Sequence, residues 1–62
     1  MLKVGDSVVT SLGEQAIIEK PFQDEQNSYD WWISLKFMFQ GKEYVSFEPY
    51  SENELTKIEE NS

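Results

Sequence analysis

Few side chains in this sequence can carry out covalent or acid–base chemistry. It has no histidine, no cysteine and no arginine, so its cations are Lys3, Lys20, Lys36, Lys42 and Lys57. That removes the usual general base, the thiol nucleophile, disulfides, and imidazole or thiolate metal sites. Carboxylates and aromatic rings remain. The closest carboxylate pairs are Asp24 with Glu25, Glu52 with Glu54, and Glu59 with Glu60. None has the ligand spacing of a dedicated calcium loop, and hydrolysis between paired carboxylates needs a cleft that 62 residues scarcely supply. The simpler account is a solvated acidic surface, so we expect no enzyme, no metal and no cofactor. The aromatic residues offer more. Trp32, Tyr44 and Tyr50, with Asp30 or Glu48, have the composition of a cage for a quaternary ammonium group. The broader expectation is a protein-binding surface of Trp32, Met38, Tyr44 and Glu48, with Tyr29 and Tyr50 at strand ends nearby. The competing account is that one Trp seals the end of the fold and the others cover the long loop.

The charge balance narrows the choice of partner. Twelve acidic residues against five lysines give a net charge of −7. Such a surface repels phosphate backbones and anionic lipid, and steers the chain toward basic partners. Solubility alone explains a charge of this size equally well. Four Phe, three Tyr and two Trp argue against disorder, because each ring buries roughly 150–250 Å² and offsets ordering entropy. No apolar run approaches the roughly 20 residues that span a bilayer, and the first residues lack the basic and apolar segments of a signal peptide. We therefore expect a cytoplasmic location, and a single domain over residues 1–62.

The segmentation follows turn residues. Gly5-Asp6 and Ser11-Leu12-Gly13 bracket a β-branched run, Ser7 to Thr10. A second run, Gln15 to Lys20, stops at Pro21. Phe22 to Tyr29 reads as a surface loop. Asp30 to Phe39 is the strongest strand signal, and Lys42 to Glu48 follows. Ser51 and Glu54 have capping-box spacing with room for one helical or 3₁₀ turn. Leu55 to Ile58 closes the fold, and residues 59–62 are expected to fray.

Side-chain alternation then suggests a register. Ile33, Leu35, Phe37 and Phe39 share one face of their strand; Trp32, Ser34, Lys36 and Met38 share the other. A two-residue loop at Gln40-Gly41 would set Phe37 opposite Tyr44 and leave the apolar sets of the two strands on opposite faces. A three-residue loop, Gln40 to Lys42, would pair Phe37 with Val45 and Leu35 with Phe47, uniting them. On that basis the expected register uses three residues. The expected core is Val4, Val8, Ile18, Ile33, Leu35, Phe37, Val45, Phe47, Leu55 and Ile58. Phe37→Ala and Phe47→Ala would then each cost about 3–5 kcal/mol. Trp32 and Tyr44 would share the outer surface, unless Trp31 takes that place and Trp32 seals the core.

Five short strands with one helical turn before the last suggest a small all-β barrel. Val4-Gly5-Asp6-Ser7-Val8-Val9, Gly13 and Ala16-Ile17-Ile18 resemble the opening of SH3-like barrels of the Tudor-like, KOW-like and CarD-like kinds. Trp32 to Leu35 and Tyr50 to Leu55 fit the later strands. The resemblance implies a five-stranded SH3-like barrel with a 3₁₀ turn before its last strand. It also implies a binding module, several such modules in bacterial transcription and repair proteins being binders of RNA polymerase or nucleic acid. The missing basic face departs from the nucleic-acid binders, which leaves a protein partner. The resulting expectation is a non-enzymatic module whose aromatic face and acidic loops dock on a basic surface of transcription, repair or replication machinery. The alternative is a small acidic inhibitor or DNA mimic, of phage type, that blocks a nucleic-acid-binding site. A homodimer through the aromatic face would also cover the patch. In a mobility-shift assay at physiological salt we expect no complex with duplex DNA, because counterion release cannot drive association of so acidic a chain. A micromolar complex would overturn the electrostatic argument.

Overall fold

The computed structural model describes residues 2–23, 26 and 28–59. Part of the expected surface loop and the last three residues of the expected frayed end lie outside them. The chain forms β1 (Ser7–Thr10), β2 (Gln15–Pro21), β3 (Trp31–Phe39) and β4 (Lys42–Tyr50), then one 3₁₀ turn (Glu52–Glu54) and β5 (Leu55–Lys57). All pairings are antiparallel, in the order β4-β3-β2-β1-β5.

Alternation along β3 organises the sheet. Ile33 lies opposite Ile18 on one side and Glu48 on the other, and Leu35 opposite Ala16 and Ser46. The inner face therefore collects Val8, Ala16, Ile18, Ile33, Leu35 and Leu55, joined by Leu2, with half-buried Trp31 and Tyr50 against them. Ile33, Val8 and Ile18 are almost completely inaccessible. A register shift between Ile18 and Lys20 bends β2 and brings Pro21 opposite Trp31. Local bonds secure the chain ends. Asp6 is buried; one carboxylate oxygen accepts from the Lys3 N–H at 3.0 Å, and the other lies 3.8 Å from the Lys57 ammonium. At the 3₁₀ turn the Ser51 N–H donates to Glu54 Oε1, as the spacing predicts, while the Ser51 hydroxyl donates to the Ser28 carbonyl.

The β3–β4 hairpin departs from the expected register. Its loop has two residues: Phe39 pairs with Lys42, Phe37 with Tyr44 and Leu35 with Ser46. Gln40 (φ 51°) and Gly41 (φ 78°) both adopt positive φ, the backbone of the two-residue turn whose twist matches its strands. Residues 36–39 of β3 extend past the last residue paired with β2, so neither face of the hairpin end has a layer to pack against. Phe37 (49% exposed) and Val45 (49%), paired along this overhang, consequently lie outside the core, and Phe47 (61%), opposite Ser34, is turned to the outer face by the two-residue loop. Val4 is also exposed, in the turn before β1, and Ile58 is half-buried on the outer face.

Nor does the sheet close. β4 and β5 are its two edges; β5 has three residues, all paired with β1, too short to reach across to β4. The fold is a five-stranded antiparallel sheet, all-β as expected and compatible with a barrel-like form, in which no strand pairing among the described residues joins β4 to β5.

This geometry reverses the expected stability ranking. Ile33→Ala should cost about 2–5 kcal/mol, the range for an enclosed aliphatic side chain. Phe47→Ala should cost under about 1 kcal/mol. Chemical denaturation of both variants checks this; a larger loss in Phe47→Ala would contradict the register.

Candidate protein-binding surface

The two-residue loop decides which aromatic residues stand together. On the inner face of the hairpin end, Phe37 and Tyr44 stack with centroids 5.5 Å apart and rings 19° from parallel, and Phe39 meets Tyr44 edge-on at 6.4 Å. All three are exposed. Farther along the same face, Glu14 and Glu48 line a shallow depression with Leu35, Phe37 and Ser46. Leu12, Tyr29, Glu48, Tyr50 and Glu54 line the next one. Aromatic rings thus lead directly into carboxylates.

The outer face is built differently. Trp32, Met38, Val45 and Phe47 alternate away from the core, with Lys36, Ser34 and Glu43 between them. Phe22 covers Trp32, with centroids 4.9 Å apart, and Tyr29 meets Phe22 edge-on at 5.6 Å. Trp32 is therefore outward-facing but half-buried. Trp31 is half-buried on the inner face, where its indole N–H donates to Glu52 Oε1. Glu19, beside the bulge, accepts from the Ser34 hydroxyl at 2.6 Å.

The six expected site residues therefore divide. Tyr44, Glu48 and Tyr50 share the inner face; Trp32 and Met38 lie on the outer one, and Tyr29 touches both groups from the end of the sheet. The expected pairing of Trp32 with Tyr44 on one surface is overturned, because the shorter loop puts them on opposite faces. The ammonium cage fails for the same reason, and Tyr44 and Tyr50, six residues apart on one strand, are separated by about 20 Å. The reading from sequence missed Phe37 and Phe39 as surface residues. The signal was there: Gln40-Gly41 fits a two-residue turn, and its register makes Phe37 and Tyr44 neighbours. Among the described residues, no three Asp or Glu side chains gather to hold a metal ion, and no helix is long and apolar enough to cross a membrane.

Tyr50 reports on the electrostatics of this face. Its phenol titrates above the ordinary value of 10.0, chiefly through loss of solvent around the ring, then through repulsion by Glu48 and Glu14, with a smaller contribution from Glu54; a hydrogen bond with Thr10 opposes the shift. A pKa raised by folding means that the native state holds the proton more tightly than the unfolded chain. This stabilisation is complete below the unfolded pKa and declines as pH rises through the native one. We expect Glu48→Gln to move the Tyr50 titration back toward 10.0, read from the tyrosinate absorbance of the wild type and variant against Tyr50→Phe. An unchanged Tyr50 titration would contradict the placement of Glu48. No family model, curated protein or solved structure matches this chain.

Proposed function

We propose that this chain is a non-enzymatic interaction module of SH3-like type, which docks through the inner face of its sheet on a basic protein surface. The observation that carries the reading is the continuity of an exposed Phe37–Tyr44–Phe39 cluster with Glu14, Glu48 and Glu54 on one face. The meander of four strands and the 3₁₀ turn leading to a fifth strand beside the first support the SH3-like part. Aromatic anchors supply affinity as they leave water, while the carboxylates speed encounter and favour a cationic partner. A net charge of −7 excludes few proteins but disfavours polyanions. Basic surfaces of cytoplasmic transcription, repair or replication machinery fit this chemistry.

Affinity capture at low and high salt, with the wild type, Phe37→Ala, Tyr44→Ala and Met38→Ala, tests the reading. Capture of a specific basic protein should survive raised salt. Phe37→Ala and Tyr44→Ala should each weaken it by at least about 1–2 kcal/mol, as interface anchors do, without unfolding the chain. Loss with Met38→Ala alone would move the site to the outer face. Capture that collapses with salt and ignores the aromatic variants would instead favour an acidic inhibitor or DNA mimic.

A further inference from the structure

The free edge of β4 carries information that the two faces do not. Among the described residues only β3 pairs with β4, so one side of a nine-residue strand has no neighbour. Which residues point that way follows from the hydrogen bonding. Ile18 donates to the Asp6 carbonyl at 3.0 Å, and its own carbonyl accepts from Gly5 at 2.8 Å, so its backbone faces β1. Ile33, opposite Ile18, therefore directs its backbone to β4 and Glu48. Alternation from there turns Lys42, Tyr44, Ser46 and Glu48 toward β3. The backbones of Glu43, Val45, Phe47 and Pro49 face outward. Pro49, lacking an N–H, sits where no donor is missed, and it limits the outward donors to Glu43, Val45 and Phe47.

We propose that this edge pairs with the β4 edge of a second copy, antiparallel about a two-fold axis through Val45. This register places Val45 opposite its own counterpart and Glu43 opposite Phe47 of the second copy. It makes about six backbone hydrogen bonds, two for each pair, and asks nothing of Pro49. It also sets Lys42 opposite Glu48 of the second copy, twice by symmetry, on the inner face of both sheets. Tyr44 then lies beside Ser46 of the second copy. Exposed Val45 and Phe47 on the outer side gain cross-strand neighbours. The self-complementary charges select this occupant and this register, since an acidic chain otherwise repels its own copy. The proposal does not depend on the partner assigned to the inner face.

Sedimentation equilibrium of the wild type, Val45→Pro, Lys42→Glu, Glu48→Lys and the double swap K42E/E48K tests it. The wild type should show twice the 7.3 kDa chain mass. Val45→Pro removes an outward N–H without touching the β3 ladder, and should be monomeric with an unchanged circular dichroism spectrum. Each single charge reversal should weaken association by about tenfold, and the double swap should restore it. If Val45→Pro does not fold, the charge series decides alone. A wild type that remains monomeric up to about 1 mM, a dimer indifferent to Val45→Pro, or a double swap that fails to rescue would each overturn the proposal. Because mass is read without any partner, these outcomes leave the inner-face reading untouched.

Discussion

The turn at Gln40–Gly41 determines most of what is distinctive in this molecule. The two-residue turn formed here holds positive φ at both positions, which glycine adopts freely and glutamine adopts at a cost of roughly 1 kcal/mol. Once that turn forms, every pairing from Phe39–Lys42 to Trp31–Tyr50 is set. The apolar residues of β4 that could have joined Ile33 and Leu35 in the core are thereby turned to the other face. Matching apolar faces would have favoured a longer loop, but burial cannot choose the register where there is nothing to be buried against. Residues 36–39 run past β2, and both faces of the hairpin end meet solvent. Local turn chemistry decides the register there, and exposed aromatics follow from it.

Much of the architecture was legible from residue types. β-Branched runs between turn residues located β1 and β2, alternation located β3, and Ser51 with Glu54 located the 3₁₀ turn and the start of β5. The errors share one physical origin. Period two identifies which residues share a face, but not whether a layer covers that face. Phe37, Val45 and Phe47 are as apolar as Ile33, but Phe37 shares its face beyond the reach of β2, and Val45 and Phe47 lie on the opposite, uncovered face. Leu2, Ala16, Trp31 and Tyr50 contribute to the core for reasons no local pattern reveals. Ala16 is simply opposite Val8 and Leu35, and the two aromatics close one end from neighbouring strands. Closure is equally beyond local pattern: a three-residue β5 pairs with β1, and among the described residues β4 has no second neighbour.

The candidate site was half legible. Composition identified the aromatic and acidic character of the surface, and Tyr44, Glu48 and Tyr50 do share a face. Their grouping with Trp32 and Met38 depended on the loop length: one residue fewer in the connection turned Tyr44 and Glu48 to the inner face and left Trp32 and Met38 on the outer one. The same shift made Tyr44 a neighbour of Phe37, which β2 leaves uncovered, and parted it from Trp32. A surface assembled on a hairpin inherits its membership from the turn, so Gln40 and Gly41 determine which side chains stand together on each face.

Edges explain why the two faces could serve different ends. An open sheet exposes unpaired backbone, and proteins usually blunt such edges with charge, proline or short strands. Here β5 is short, but β4 is long and carries only Lys42, Glu43, Glu48 and Pro49 as protection. Those charges repel an arbitrary strand less than they select a particular one, because Lys42 and Glu48 are equidistant from Val45 and opposite in sign. Pairing two such edges would put both inner faces on the same side of one continuous sheet. Two aromatic clusters and two groups of carboxylates would then face a partner together. If the inner face docks as proposed, simultaneous engagement of two patches would raise avidity without adding any new kind of contact. The register of one turn thus fixes what each face of the hairpin exposes, and with it which charges flank the open edge of β4.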